Sequence, residues 1–268
     1  FELLGIFQTD FSLTNIKSNM QSIVSTGYKF SDDAEITMLS QIGIATNASG
    51  ASSGYSQSKL RGYLEIDEKK VALTMNCAWN ADDIDKILEV LEKTNTKITF
   101  FLVGDWVDKY PESLKKIYEQ GHEIANHSDS HPHVNKMSLE ENIKQIQECS
   151  DKVKNITGES TKLYRGPYGE YNNTVIEAAQ SLEHITIQWS IDSLDYKGLT
   201  GEQMWQRIEP KLQKGSIILM HNGTENTALG LDMIIKNIKQ KGFELTTVSE
   251  LIYLDDYIID NNGMQHKL

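Results

Sequence analysis

The sequence predicts an α/β fold in which a parallel sheet curls into a distorted barrel. Beyond Lys69, short runs of β-branched and apolar residues recur along the chain, and amphipathic helical periods lie between them. This alternation favours parallel strands joined by crossover helices. Seven strand-like runs with such connections predict a complete or partly closed barrel rather than separate modules.

The predicted elements follow one another in a regular order. The strands are residues 71–75, 97–103, 122–126, 162–164, 185–189, 216–220 and 243–248. Among the helices, residues 83–93 place Ile84, Ile87 and Leu91 on one face, and residues 138–156 open with a Ser-x-x-Glu capping box. In folds of this kind, functional groups gather where strands end and loops begin.

Residues 69–253 carry this pattern, and both ends of the chain differ from it. Residues 1–68 lack a regular apolar period and include a stretch rich in Gly, Ser and Asn at residues 46–58. We therefore predict an N-terminal extension with a flexible linker. Residues 254–268 are predicted to form a C-terminal tail.

The composition disfavours several classes of partner. The chain has 268 residues, with 26 Lys and Arg against 38 Asp and Glu, which gives a formal net charge of −12. An acidic surface without a basic tract repels phosphate backbones and anionic lipid, so we expect no nucleic acid partner. No stretch approaches the roughly 18 consecutive apolar residues that a membrane span needs, and we expect none in this sequence.

Five polar clusters lie at the ends of predicted strands. They are residues 76–83, 126–133, 165–169, 192–196 and 219–222. His127 and His131 stand four positions apart, a spacing that can direct two imidazoles at one cation. Exposed loop histidines are the alternative interpretation, because H-x-x-x-H also recurs by chance. His133 follows a proline and is expected to point elsewhere.

Two further side chains are candidates for the site at the same edge of the sheet, one as a partner of a carboxylate and one as an acid. Arg165 precedes a rigid Gly-Pro turn, and its fixed fork of donors suits a carboxylate. His221 ends an apolar strand, and a carboxylate partner such as Asp195 would raise its pKa toward the range of an acid catalyst. A surface arginine and a structural histidine are the competing interpretations.

Taken together, the clusters resemble the five motifs of the polysaccharide deacetylases, which are carbohydrate esterase family 4 or the NodB-homology domain. The family's T-F-D-D, H-S/T-x-x-H, R-x-P-Y-G, D-S-x-D-W and L-x-H correspond to residues 74–77, 127–131, 165–169, 192–196 and 219–221. The fourth motif has Tyr in place of Trp. The resemblance spans residues 69–253 and implies a distorted barrel of seven or eight β/α units.

The resemblance also implies an activity and a set of roles. Members remove N-acetyl groups from chitin-like sugars or peptidoglycan with a divalent metal ion, and zinc is the ion we expect here. His127 and His131 would be metal ligands and His221 the acid that protonates the leaving amine. Asp195 would orient His221, and Arg165 would tether the base.

The remaining implications concern the groove and the location of the protein. Tyr168, Tyr196 and Leu219 lie within the motifs and are expected to contact the polysaccharide substrate. Members of the family act outside the cytoplasm. The protein is therefore expected to be secreted or associated with the cell wall.

The sequence departs from the family at the base. The position is Asn76, and an amide cannot accept a proton from water near neutral pH. The next position, normally a carboxylate ligand, is Cys77, which as a thiolate would complete a Cys-His-His zinc site and as a thiol would only pack. Asp82 is an equal candidate for the third ligand, with a helix N-cap as its alternative role.

We therefore predict a metal-dependent deacetylase of N-acetylglucosamine-containing polysaccharide with atypical or reduced activity. The presence of His221, Asp195 and Arg165 favours a working site, in which the metal lowers the pKa of water to about 7 and Asp82 or Asp83 acts at a distance. The alternative is a catalytically inactive module that keeps the fold and binds glycan. Hydrolysis of a different amide or ester is a third, less favoured possibility.

Overall fold

The computed structural model describes residues 63–64, 66–254, 256–259 and 264–268. Most of the predicted N-terminal extension, including the Gly/Ser-rich stretch at residues 46–58, lies outside the described residues. No helix in the described ranges is both long enough and apolar enough to cross a membrane.

The strands form one large sheet and one small sheet. In chain order they are β1 (Tyr63–Leu64), β2 (Lys70–Cys77), β3 (Thr99–Leu102), β4 (Glu123–Asn126), β5 (Leu163–Tyr164), β6 (Ile185–Thr186), β7 (Ile191–Asp192), β8 (Ile217–His221), β9 (Glu244–Thr246), β10 (Tyr257–Ile259) and β11 (Met264–Lys267). The large sheet has the order β6-β5-β4-β3-β2-β8-β7, and β9 also pairs with β2. Its strand pairs are all parallel, which confirms the predicted α/β barrel class. The barrel is an open half-barrel, with β6 and β7 at the two edges of the sheet.

Helices connect these strands. They are α1 (Ile84–Lys93), α2 (Gly104–Lys109), α3 (Pro111–Glu119), α4 (Leu139–Thr157), α5 (Asn173–Ser181), α6 (Gly201–Ile208), α7 (Thr227–Gln240) and α8 (Val248–Leu251). The predicted capping box of α4 is present, since the Ser138 side chain accepts the Glu141 N–H and the Glu141 side chain accepts the Ser138 N–H. All seven predicted strands occur, with ends within about three residues of those expected. The two-residue strand β7 was missed because it is too short to show a period.

Alternation along β2 separates two apolar layers. Val71, Leu73, Met75 and Cys77 pack in the core beneath the helices. Ala72 packs in the second core, inside the curl of the sheet. Because successive strand residues point to opposite faces, Cys77 falls on the helix side and its neighbour Asn76 on the inner side.

The small sheet lies at the end of the chain. β11 pairs with β1 in parallel and with β10 in antiparallel orientation. The Gln265 side chain joins this sheet to the backbone of Tyr253: it accepts the Tyr253 N–H at 2.8 Å and donates to the Tyr253 carbonyl. Residues 254–268, expected to form a tail, therefore contain two strands, because their pairing partner at Tyr63–Leu64 is distant in sequence.

His122 is buried just before β4, at the end of the barrel opposite the polar clusters. Its titration predicts that the folded state is less stable at acid pH. Its Nδ1 accepts the Ile98 N–H at 3.3 Å, and burial lowers its pKa to about 4. The unfolded chain therefore binds the proton first as the pH falls through about 6.5, and the folded state loses stability between about pH 6.5 and pH 4.

At pH 5 we expect His122 alone to lower the free energy of unfolding by about 2 kcal/mol relative to pH 7. His122→Asn keeps an acceptor for Ile98 and removes the titration, so its melting temperature should fall less between these two pH values. Thermal unfolding of both proteins at pH 7 and pH 5 measures the difference. Parallel losses in the two proteins would show that His122 does not carry the effect.

Candidate active site

The predicted site residues meet at the carboxyl ends of the parallel strands. Asn76 lies beside His221 in the register of β2 and β8. His127 follows β4 and donates its N–H to the Leu102 carbonyl at 2.9 Å. Arg165 follows β5 and donates its N–H to the Asn126 carbonyl at 2.9 Å. Four segments far apart in sequence thus place their polar side chains at one edge of the sheet.

The Asn76 side chain bridges Arg165 and His127. Its Oδ1 accepts from Arg165 Nη1 at 2.9 Å, and its Nδ2 lies 3.2 Å from His127 Nε2. His127 Nδ1 lies 2.7 Å from the Arg165 carbonyl, to which it must donate. His127 Nε2 is therefore the acceptor, and the amide of Asn76 donates to it. Asn76 itself is only 5% exposed.

Arg165 is a buried guanidinium that contacts no carboxylate among the described residues. It has 0% exposure, and its other hydrogen bonds run to Thr74 Oγ1 and to the Gln188 carbonyl. The guanidinium lies over the Phe101 ring at 3.9 Å, and its Nε has no hydrogen-bond partner among the described residues. Burial lowers the pKa of Arg165 to about 9. Every hydrogen-bond acceptor that the described residues offer this side chain is neutral.

The two predicted metal-ligand histidines are neighbours. The rings of His127 and His131 lie 4.9 Å apart at an interplanar angle of 75°. His131 has φ of +57°, and its N–H donates to Ser128 Oγ at 3.1 Å. Burial lowers the pKa of both histidines, so both imidazoles are neutral near pH 7, and the acceptor lone pair of His127 is the one that Asn76 engages.

Buried polar contacts fix the loop that carries these histidines. Asn126 accepts the Ser128 N–H at 2.9 Å and donates to the Ile146 carbonyl of α4 at 2.8 Å. Lys152 of α4 lies 2.6 Å from Asp129 and 2.7 Å from Asp108. The loop is therefore held to the helix layer on both sides of the turn.

His221 and Asp195 form a buried pair. His221 Nδ1 lies 2.9 Å from Asp195 Oδ1, and the His221 backbone N–H donates to Oδ2 at 2.6 Å. The Thr227 hydroxyl also donates to Oδ2, at 2.8 Å. Asp195 has 0% exposure and His221 is partly exposed. The contacts leave the Nε2 side of the imidazole as the side that a ligand can reach.

Exposed aromatic rings surround the histidines. Trp79 stacks on His221 with ring centroids 5.4 Å apart, and Tyr196 meets the same imidazole edge-on at 5.3 Å. Tyr168 meets His131 edge-on at 4.6 Å. Trp79, Tyr168 and Tyr196 are all exposed. Leu219, the other residue predicted to contact substrate, is instead buried, two positions before His221 on β8. The rim is therefore aromatic.

Within the part of the chain that the structure describes, the donor set provides two of the ligands that a metal ion would need, but no third. Cys77 is buried in the helix-side core, where burial raises the pKa of its thiol. Asp82 is exposed, and its N–H donates to Asn80 Oδ1 at 3.1 Å. No three His, Cys, Asp or Glu side chains of the described residues could hold a metal ion together. The one in-plane lone pair of the neutral His127 imidazole, on Nε2, is also engaged by Asn76.

Sequence reasoning missed the supporting roles of three residues, one of which, Asp83, it predicts only as an acid acting at a distance. Thr74 accepts from Arg165, Thr227 donates to Asp195, and Asp83 accepts the Gly223 N–H at 2.8 Å. Thr74 carried a signal, since it stands two positions before Asn76 and so shares its face of the strand. Thr227 and Asp83 carried none, because their partners are distant in sequence.

Comparison with known proteins identifies the family. Residues 64–187 match the family model described as polysaccharide deacetylase. A peptidoglycan-N-acetylglucosamine deacetylase of Bacillus cereus is 32% identical over 189 residues, which cover 69% of this chain and 69% of that protein. The chain belongs to the polysaccharide deacetylase family. Deacetylases of this family generally depend on a metal ion.

Other relatives include an uncharacterized protein and a pseudoenzyme. The uncharacterized protein YlxY of Bacillus subtilis is 34% identical over 186 residues, covering 69% of this chain and 58% of YlxY. A mutant of BA3943, from Bacillus anthracis, is described as a family pseudoenzyme with restored enzymatic activity. Its crystal structure shares 31% identity and a TM-score of 0.69, covering 72% of this chain and 70% of that chain. The family therefore includes deacetylases and pseudoenzymes.

Proposed function

We propose that this domain binds N-acetylglucosamine-containing polysaccharide, of the peptidoglycan or chitin type, and that its own deacetylase activity is low. The observation that carries the proposal is the Asn76 bridge between Arg165 and His127. It occupies the position where the family resemblance places the base. The relatives that are named as peptidoglycan deacetylases support the class of ligand.

The chemistry of the bridge supports the proposed low activity. The Asn76 amide nitrogen donates to His127 and its oxygen accepts from Arg165, so neither atom can take a proton from water. General base catalysis typically contributes about 10²-fold to 10⁴-fold, and this contribution is missing. The third ligand of a metal ion is also missing from the described donor set. Both deficits are expected to reduce hydrolysis.

Other features favour a site that is retained for binding. Ser128, His131, Tyr168 and Leu194 all adopt positive φ within the five polar clusters. Each such residue costs of order 1 kcal/mol, and strain of this kind is kept where the site has a use. The paired His221 and Asp195 can still hold or donate a proton at the imidazole, so a catalytically inactive glycan-binding module is the second candidate rather than the first.

One experiment separates these outcomes. Chitooligosaccharide and peptidoglycan are incubated with the domain, binding is followed by calorimetry and acetate release by enzymatic assay, and bound metal is measured by mass spectrometry. We expect saturable binding, substoichiometric metal, and acetate release at least about 100-fold slower than that of the B. cereus relative assayed in parallel.

The results can contradict each part separately. Absence of binding to both glycans would overturn the proposed ligand class. Acetate release at the rate of the B. cereus relative would overturn the proposed low activity, and binding with no release would establish the second candidate. We also propose that the domain acts outside the cytoplasm, where peptidoglycan lies, and protease accessibility in intact cells tests this location.

A further inference from the structure

Four buried polar side chains form a network that runs from the turn with the two histidines to a surface cleft before β5 and β6. They are Asn126, Ser150, Thr161 and His184, and each is at most 6% exposed. Asn126 ends β4, Ser150 belongs to α4, and the other two stand just before β5 and β6. Burying polar groups is costly unless every member finds a partner, so the pairing within this network decides how its side chains can be oriented.

The direction of the hydrogen bonds is set at the His184 end. His184 Nδ1 lies 2.9 Å from the Leu182 carbonyl, to which it must donate. Burial lowers the pKa of His184, so the imidazole is neutral near pH 7 and its Nε2 can only accept. Thr161 Oγ1 and Ser150 Oγ lie 2.8 Å and 3.2 Å from Nε2, and the two hydroxyls also bond to each other. One hydroxyl hydrogen goes to Nε2 and the other lies between the hydroxyls, so the hydroxyl pair can only accept from Asn126.

The hydroxyl pair in turn fixes the orientation of the Asn126 amide. Asn126 Nδ2 donates to Ser150 Oγ at 3.2 Å and to the Ile146 carbonyl at 2.8 Å. The Asn126 oxygen therefore faces the histidine turn, where it accepts the Ser128 N–H at 2.9 Å. An amide turned over would place its NH₂ group against that N–H and leave two buried donors without an acceptor.

Ser128 passes this constraint to both histidines. It directly follows His127, and its hydroxyl accepts the His131 N–H at 3.1 Å. Ser128 has φ of +67° and His131 has φ of +57°. Such conformations are unfavourable for residues with a Cβ and persist only where surrounding contacts impose them. The bond from the Ser128 N–H to Asn126 is a contact of this kind, because it holds the backbone at the centre of the strained turn.

We propose that His184 is a positioning residue, whose Nε2 acceptor acts through the two hydroxyls and Asn126 to hold the turn that carries His127 and His131. His184 is not a catalytic residue, since it acts on the turn through these side chains. Its importance for ligand binding rests on the proposed glycan-binding function. Its control of the turn is a property of the fold and can be measured without a ligand.

Two substitutions at position 184 separate positioning from the filling of space. His184→Gln keeps an acceptor oxygen at about the reach of Nε2, whereas His184→Leu fills a similar volume and offers no acceptor. The imidazole signals of His127 and His131 are followed by NMR on the full chain. We expect both signals to shift in His184→Leu and to stay near their wild-type positions in His184→Gln. A residue that only filled space would give the same result with either substitution.

Thr161→Val tests the same network one step closer to Asn126, at nearly constant side-chain volume. Thr186→Val is the matched control, because Thr186 is a buried threonine of β6 whose hydroxyl has no hydrogen-bond partner among the described residues. Thr161→Val should shift the signals of both histidines. It should also weaken binding of the β-1,4-linked tetramer of N-acetylglucosamine, measured by calorimetry, by about 5-fold. Thr186→Val should change neither quantity.

The outcomes distinguish this inference from the proposed function. Histidine signals that stay in place in both folded variants, Thr161→Val and His184→Leu, would overturn the positioning role. Equal shifts in Thr161→Val and Thr186→Val would also overturn it, because the hydroxyl in the network would then have no special effect. If the wild type did not bind the tetramer but the signals shifted as expected, the proposed function would be overturned and the positioning role of His184 would stand.

Discussion

Asn76→Asp is expected to raise the thermal stability of the domain and to increase acetate release several-fold or more. The wild-type guanidinium of Arg165 has 0% exposure and donates to the neutral oxygen of Asn76 at 2.9 Å. A carboxylate in the same place would supply the missing counter-charge through a charge-assisted hydrogen bond. Bonds of this kind contribute about 1.5 to 3 kcal/mol, more than their neutral equivalents. Differential scanning calorimetry measures the gain in stability.

The same substitution should change the titration of His127. The second oxygen of the new carboxylate would replace Asn76 Nδ2, which lies 3.2 Å from His127 Nε2. Two acceptors then face each other unless His127 is protonated, so the variant should raise the pKa of His127 from its present position well below the ordinary value. The stabilisation linked to this proton is present at low pH and is lost as the pH rises through the raised pKa.

Histidine NMR signals followed against pH test this shift without reference to activity. Asn76→Ala is the matched control, since it removes the bridge and supplies no charge, and it should destabilise the fold and leave the pKa of His127 low. An unchanged melting temperature and unchanged His127 titration in Asn76→Asp would show that Arg165 does not lack a counter-ion. An unchanged acetate rate on a confirmed substrate would show that position 76 takes no part in proton transfer.

Much of the arrangement follows from strand order alone. Asn76, His127, Arg165 and His221 each end or follow a predicted strand, and parallel strands bring their carboxyl ends to one edge of the sheet. The partners of the Asn76 side chain are 51 and 89 positions away in sequence. The pattern could therefore place these residues together, but it could not show which atoms of the amide would face which partner.

Side-chain direction was the part that local patterns could not decide. Had β2 ended at Asn76, the chain could have turned and pointed the next side chain into the cleft. The strand instead continues through Cys77, and alternation carries that thiol to the helix side. Asp82 depends in the same way on where the following loop leads, and it reaches solvent. The roles of both as metal ligands stay predictions that this placement does not support.

Asp195→Ala is expected to cause the largest loss of stability among the site variants. Its carboxylate has 0% exposure and accepts from His221 Nδ1, the His221 and Tyr196 backbone N–H groups, and the Thr227 hydroxyl. Removing it leaves these donors without an acceptor in a desolvated place. The expected cost is about 3 to 5 kcal/mol, or a fall of about 10 °C in melting temperature.

Two variants decide whether this loss reflects the buried contacts. Asp195→Asn preserves the side-chain volume and one acceptor oxygen, so it should lose less stability than Asp195→Ala. Asp82→Ala removes an exposed carboxylate from another loop of the same rim and should change stability by less than about 0.5 kcal/mol. If thermal unfolding gave Asp195→Ala the same melting temperature as Asp82→Ala, the four contacts would not hold the loop after β7 to the end of β8. The orientation of His221 would then need another cause.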